Sequence, residues 1–178
     1  MTFKKTFLPA LILSSIAIVC ALALGFTNHL TKDRIAAVER ERYLAAAASV
    51  LPEGAILSEL SVEGVTGFVG MDAEGNLLGY AVKTVAKGYG GDISCVVGFD
   101  PSGRVIGVSV SAPDETPGLG TNVTKPSFTD QLIGKTEAPA LGDGLDGVTG
   151  ATYSSLAVEE AVKKAFLGFE KIITAKGA

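Results

Sequence analysis

Val69-Gly70-Met71-Asp72-Ala73-Glu74-Gly75-Asn76-Leu77-Leu78-Gly79 is echoed 28 residues later by Val97-Gly98-Phe99-Asp100-Pro101-Ser102-Gly103-Arg104-Val105-Ile106-Gly107. Each copy sets an Asp-x-x-Gly tetrapeptide between two apolar runs. Asp at the first position and Gly at the fourth fit a type I turn, and Pro101 supplies the φ that the second position needs. The repeat therefore predicts two β-hairpins, residues 62–71 with 76–85 and 93–100 with 104–112. Two copies are too few for a solenoid, so the expected arrangement is a four-stranded antiparallel meander.

Helices flank this sheet. On the C-terminal side a short helix is expected over 128–133. A long one should start near Ser154 or Ser155, both good N-caps. Val158, Val162, Ala165, Phe166, Phe169, Ile172 and Ile173 recur at helical spacing and form its core stripe. Glu159 with Lys163 and Glu160 with Lys164 are i,i+4 pairs for its outer face. Before the repeat, residues 32–51 read as a helix that Pro52 and Gly54 stop. The fold class is α+β: one N-terminal transmembrane helix, then a single domain with an antiparallel sheet of two repeated hairpins packed by helices. The predicted boundaries are 1–31 for the N-terminus and anchor, 32–54 for a stalk helix, and 55–178 for the domain.

The anchor rests on composition. Mean hydropathy is +0.38 although charged residues make up 19%, and the excess apolarity sits at the N-terminus. Thr6 to Thr31 contains no Asp, Glu, Lys or Arg. At ~1.5 Å per residue the apolar run from Phe7 to Phe26 matches the ~30 Å hydrocarbon core of a bilayer. A cleaved signal peptide would have a shorter run and a cleavage site after it. Ala21-Leu22-Ala23 lies inside the run, so an uncleaved anchor is expected, with Cys20 as a small apolar residue within it. Lys4 and Lys5 favour a cytoplasmic N-terminus, while Lys32, Arg34, Arg40 and Arg42 argue the other way, so charge leaves orientation open.

Composition also excludes classes. A net charge of -4 does not suit a nucleic-acid binder. Two cysteines and one histidine cannot build a disulfide framework, a four-ligand zinc site or a catalytic system of several histidines. No metal site is expected.

Three stretches carry possible chemistry. Lys87-Gly88-Tyr89-Gly90-Gly91-Asp92-Ile93 is either a flexible connection or a loop laid against a flat ligand. Asp114-Glu115-Thr116-Pro117-Gly118-Leu119-Gly120-Thr121-Asn122 joins a fixed φ at Pro117 to two residues without side chains; it is either a surface turn or a backbone platform for a planar ring. Asn122-Val123-Thr124 is a glycosylation sequon only in a eukaryotic secretory context. Asp146-Gly147-Val148-Thr149-Gly150-Ala151-Thr152-Tyr153-Ser154-Ser155 leads into a helix N-terminus, where free N–H groups and the macrodipole favour a phosphate. It lacks the lysine of a P-loop and the spacing of a dinucleotide fingerprint. The same residues would also serve as a glycine turn with Ser/Thr capping.

Thr149-Gly150-Ala151-Thr152, with Asp146 before it and Ser154-Ser155 after it, resembles the S/T-G-A-T signature of flavin-transferase substrates. Glu115 with Thr116-Pro117-Gly118-Leu119-Gly120 resembles the second signature of that family. Gly88-Tyr89-Gly90-Gly91-Asp92-Ile93 resembles its G-Y-x-G-x-I segment, and Gln131-Leu132-Ile133-Gly134-Lys135 its Q-F-x-G-K stretch, with Leu132 where an aromatic is common. With the single anchor, the chain resembles end to end the G subunits of the Rnf electron-transport complex. Their relatives, the C subunits of the sodium-pumping NADH:quinone reductase, and other extracytoplasmic covalent flavoproteins are the alternatives.

The resemblance implies one FMN joined by a phosphodiester to Thr152, and no catalytic side chain. A separate magnesium-dependent, ApbE-type flavin transferase would attach it, using FAD. It implies that Thr149, Gly150, Ala151 and Tyr153 flank the phosphate and ribityl end. Thr116, Gly118, Leu119 and Gly120 would lie near the ring, and Tyr89 would touch it. It further implies a redox-relay component of a ferredoxin:NAD oxidoreductase coupled to Na+ or H+ transport. The partners would be the lipid bilayer, the A, D and E membrane subunits and the peripheral B and C subunits of the Rnf complex, with no nucleic acid. The soluble domain would lie on the outer face of the inner membrane, which resolves the orientation.

Overall fold

A computed structural model describes residues 3–176 of the chain. Helix α1 runs over Phe3–Val50. Five strands follow, β1 (Ile56–Val62), β2 (Val65–Met71), β3 (Leu77–Lys87), β4 (Asp92–Phe99) and β5 (Val105–Ser111), then α2 (Pro126–Thr129), the two-residue strands β6 (Ala140–Leu141) and β7 (Gly144–Leu145), and α3 (Thr152–Lys176). Two compact units divide at Arg42 and Tyr43. The first is helical, and Leu13, Val19, Leu22 and Leu24 on it are exposed. This helix is long and apolar enough to cross a membrane. Residues 1 and 2, part of the expected cytoplasmic end, lie outside the described residues.

The second unit begins inside the segment expected as a stalk. Tyr43, Ala47, Val50 and Leu51 are buried with Phe68, Ala81 and Val96. The last turns of α1 thus belong to the core of the domain.

The sheet is an antiparallel meander in the order β1-β2-β3-β4-β5. Both expected hairpins form, as β2 with β3 and β4 with β5. Their turns share one construction. Asp72 Oδ1 accepts the N–H groups of Glu74 and Asn76, at 3.0 and 2.7 Å. Asp100 Oδ1 accepts those of Ser102 and Arg104, both at 2.9 Å. The carboxyls of Asp72 and Asp100 are held below their usual values, chiefly by the side chains of Asn76 and Ser102 respectively. Each hairpin also carries a register shift at the same repeat position, Gly70/Met71 and Gly98/Phe99.

The fifth strand, β1, is a correction to the four-stranded expectation. It pairs with β2 through a tight turn at Glu63 (φ 47) and Gly64 (φ 79). Both residues sit in the left-handed region, the demand of a two-residue hairpin turn. A Glu-Gly pair is a weaker sequence signal than Asn-Gly or Asp-Gly, and β1 itself is largely exposed.

Side chains alternate across the sheet with period two. Tyr80, Val82, Ile93, Cys95, Val97 and Phe99 face α3, joining Val158, Val162, Ala165 and Ile172 in the main core. Phe99 stacks on Phe169 at 4.8 Å and meets Phe166 edge-on at 5.0 Å. Ile173, expected in this stripe, is 38% exposed. Burial pushes the Cys95 thiol up to about 12, so it is a neutral core group.

The opposite face receives the end of α1 at the repeat's glycines. A Cβ at Gly98 or Gly107 would strike the backbone of Val50, and one at Gly70 or Gly79 would press on the Leu51 side chain, at 3.0 and 3.1 Å. Gly70 pairs with Gly79, and Gly98 with Gly107. The duplicated Val-Gly…Gly pattern is therefore a docking groove as well as a hairpin code.

Two helical details differ from expectation. The predicted 128–133 helix is split into α2 and a 3-10 turn over Asp130–Leu132. The long helix starts at Thr152, earlier than Ser154 or Ser155. Of its two expected surface pairs, Glu160–Lys164 forms at 2.7 Å. Glu159 accepts the N–H of Leu141 at 3.1 Å.

Candidate functional site

Three loops converge at the N-terminus of α3. The first is the β3–β4 connection, closed by a 2.8 Å bond from Gly88 N–H to Gly91 O. The second is Thr116–Thr124, braced internally. Gly118 N–H donates to Thr121 Oγ1 at 2.9 Å, Asn122 Nδ2 donates to Gly118 O at 2.8 Å, and a 3-10 turn follows over Gly120–Thr124. The third is the turn Val148–Ala151, in which Ala151 N–H donates to Val148 O at 3.0 Å. The missing Cβ of Gly150 admits Leu119, whose Cδ1 lies 3.0 Å from where that atom would be. Here the second and third loops touch.

Between them lies a half-open cavity of about 270 Å³, lined by Tyr89, Glu115, Thr116, Leu119, Gly120, Gly150, Ala151, Thr152, Tyr153 and Ser154. Residues far apart in sequence thus share one wall. The rings of Tyr89 and Tyr153 stand 6.2 Å apart at its mouth, and both are mostly exposed, as is Leu119 in part. Thr152 is exposed at the first position of α3. The amides of Thr152, Tyr153 and Ser154 open the helix and have no carbonyl one turn back within it.

Ser154 and Ser155, expected as caps, act from the first turn. Ser155 Oγ accepts Val148 N–H and donates to Ala151 O, both at 3.0 Å. Ser154 Oγ donates to Glu115 Oε2 at 2.7 Å. Glu115, 4% exposed, also accepts the N–H groups of Tyr89 and Gly90 on Oε1, at 2.7 and 3.0 Å. Burial raises the Glu115 carboxyl, but these three donors together with the Gly91 amide outweigh it and hold the group below its usual value, so it is ionised.

An FMN-binding-domain family model matches residues 88–166, and an RnfG N-terminal-region model matches residues 1–50. The G subunit of an ion-translocating oxidoreductase complex from Haemophilus influenzae is 33% identical, covering 93% of this chain and 91% of that one. This chain belongs to that G-subunit family. The G subunit of the Na(+)-translocating ferredoxin:NAD(+) oxidoreductase complex of Acetobacterium woodii is 27% identical over 96% of this chain and 94% of its own. Among solved structures, the C subunit of the Na(+)-translocating NADH-quinone reductase of Parabacteroides distasonis superposes with a TM-score of 0.53. It shows 25% identity and covers 62% of this chain and 63% of that one. Shewanella oneidensis NqrC gives 0.51, with 25% identity and 67% of each chain covered.

The sheet-and-helix domain of this chain is therefore similar in fold to these two C subunits. Of the residues expected at the site of this G-subunit family member, Tyr89, Thr116, Leu119, Gly120, Gly150, Ala151, Thr152 and Tyr153 line the cavity. Thr149 and Gly118 are not among its lining residues. Gly118 instead takes a left-handed φ of 74 with nothing within 4 Å of a would-be Cβ. It serves the shape of its loop. Glu115 and Ser154 are wall residues absent from the expected site set. Both stood within or beside quoted signatures, but their contact across 39 positions carries no mark in the sequence.

Proposed function

We propose that this chain is the membrane-anchored, covalently flavinylated electron carrier of an Rnf-type ferredoxin:NAD oxidoreductase complex that drives Na+ or H+ transport. The observation that carries this reading is the position of Thr152. Its hydroxyl stands at the first turn of α3, on the wall of a cavity rimmed by Tyr89, Leu119 and Tyr153.

The residues present fit FMN. The first-turn amides of α3 and its positive dipole end suit a phosphodiester. The cavity, about 270 Å³, lies near the lower limit of ~300 Å³ for small-molecule sites, so a bound ring would extend into the open mouth. There two phenol rings and Leu119 offer flat and apolar surface. When bound, FMN accepts and donates electrons, and the protein sets its position and access.

Attachment is a group transfer. A magnesium-dependent flavin transferase would join Thr152 Oγ1 to the FMN phosphorus of FAD. The pyrophosphate bond breaks, AMP leaves, and the threonine proton is released. Thr152 is consumed in maturation and takes no part in turnover. Thr152 is exposed, as a residue that a second enzyme must reach has to be. The A, D, E, B and C subunits of the complex are the partners this reading assigns, with the domain outside the inner membrane. The similarity to G subunits over nearly the whole chain favours this complex over the NADH:quinone reductase.

The test is coexpression with a flavin transferase, followed by ultraviolet illumination of a denaturing gel. A fluorescent band is expected from the wild-type chain and none from Thr152→Val. Thr149→Ser should keep the band. A fluorescent Thr152→Val chain refutes the assignment.

A further inference from the structure

We infer that Glu115 is the positioning residue of the flavin site, a carboxylate clamp that holds the Tyr89 loop to the first turn of α3; this rests on the flavin assignment above. Its two oxygens divide the work. Oε1 takes the amides of Tyr89 and Gly90, at 2.7 and 3.0 Å. Oε2 takes the hydroxyl of Ser154, at 2.7 Å. One side chain, at the entry to the Thr116 loop, thereby ties the Tyr89 loop to the first turn of α3 at the cavity.

The surroundings are shaped to it. A Cβ at Gly88 would strike Glu115 Oε1, and one at Gly120 would strike Oε2 and lie 2.8 Å from Ser154 Oγ. A Cβ at Gly90 would strike the Asp114 carbonyl. Side chains are absent from the Gly-Tyr-Gly-Gly loop where it meets Asp114 and Glu115. Tyr89, by contrast, keeps a ring and is 74% exposed. Its backbone is tied down by a charge-assisted bond while its ring stands free at the cavity mouth, 6.2 Å from Tyr153. Fixing the amide fixes where the Tyr89 ring can go, so Glu115 acts on the flavin through Tyr89.

Two substitutions separate reach from charge. Glu115→Gln keeps the length and one carbonyl for Tyr89 and Gly90, and the Ser154 hydroxyl can turn to accept from the new amide. Glu115→Asp keeps the charge but is one methylene too short to hold both sides. Tyrosine beside a flavin quenches its emission, so native fluorescence per attached flavin reads the position of Tyr89. The full-length chain in detergent, flavinylated by coexpression, is compared with both variants and with Tyr89→Ala. Amide hydrogen exchange at Tyr89 and Gly90 is followed in parallel.

In wild type these two amides should be protected. In Glu115→Asp their exchange should accelerate by about tenfold or more, as expected when the shorter side chain no longer reaches both amides and their hydrogen bonds are lost, and native fluorescence should rise toward that of Tyr89→Ala. Glu115→Gln should stay near wild type in both readouts. Wild-type amides that exchange like an open loop overturn the inference. So does a Glu115→Asp chain that matches wild type, a Glu115→Gln chain that matches Glu115→Asp, or a Tyr89→Ala chain with unchanged fluorescence. If Glu115→Asp does not fold, protection in wild type together with near-wild-type Glu115→Gln supports the clamp. If the denaturing gel shows no attached flavin, the flavin assignment fails while the exchange measurement still decides the clamp.

Discussion

Gly98→Ala is expected to loosen the domain from the face opposite the flavin site. The added Cβ would strike the Val50 carbonyl oxygen and lie 3.0 Å from the Val50 carbonyl carbon and 3.1 Å from its Cβ. Backbone cannot step aside as a flexible side chain can. Gly98 itself is held on both sides, paired with Ala81 and with Gly107. The end of α1 must therefore lift. Overpacking of this kind costs about 1–3 kcal/mol. Lifting also exposes part of Val50, now 4% exposed, whose full burial is worth about 1.5–3 kcal/mol. Against this, Gly→Ala stiffens the unfolded chain by about 0.4–1 kcal/mol. The net loss is about 1–4 kcal/mol, and the middle of that range corresponds to a fall in Tm of about 5–10 °C at the sensitivity of domains this size. The control is Gly75→Ala. Gly75 has a φ of 86 and open space around it, so only conformational strain of about 1–2 kcal/mol applies. Thermal unfolding of the full-length chain in detergent, followed by near-ultraviolet circular dichroism, measures both. Equal Tm values for Gly98→Ala and wild type, or a larger fall for Gly75→Ala, would refute the docking of α1 on the repeat glycines.

Three further outcomes are expected. Gly118→Val should destabilise by about 1–2 kcal/mol through its left-handed backbone, yet leave the flavin potential unchanged, because the residue lies off the cavity wall. Gly120→Ala, pressed against Glu115 and Ser154, should shift that potential; spectroelectrochemical titration compares the two, and a larger shift from Gly118→Val would contradict the geometry. The Glu115 carboxyl lies below its usual 4.5 in the folded chain. Its stabilisation is therefore complete above about pH 4.5 and is lost as pH falls through the lower folded value. Glu115→Gln should flatten this part of the acid unfolding curve, and an unchanged acid slope would count against the buried charge. A C-terminal alkaline phosphatase fusion should be active, and a C-terminal green fluorescent protein fusion exported through the general secretory route should be dark; the reverse pattern would place the domain in the cytoplasm.

Local chemistry made much of this legible from the chain alone. The turns at Asp72 and Asp100 are set by residues within a few positions of one another, as are the apolar run from Phe7 to Phe26 and the stripe of α3, so short-range rules suffice for them. The attachment candidate Thr152 was legible through a contiguous signature. What stayed hidden depends on long-range contacts. Strand β1 exists because β2 offers an edge, and its Glu63-Gly64 turn is a faint signal by itself. Tyr43, Ala47 and Val50 read as part of a stalk because four glycines on distant stretches of strand, Gly70, Gly79, Gly98 and Gly107, were needed to show the groove that receives them. Glu115 looked like one residue of a loop signature. Only folding brings its carboxylate under the amides of Tyr89 and Gly90 and against Ser154, 39 positions away, and a buried charge is tolerated there because those donors arrive together. Sequence determined the elements, whose hydrogen bonds and periodicities are local. Tertiary structure decided which glycines are pressed against backbone, which are left open, and which acid holds the site in shape, since close approach and burial are properties of residues that meet only in space.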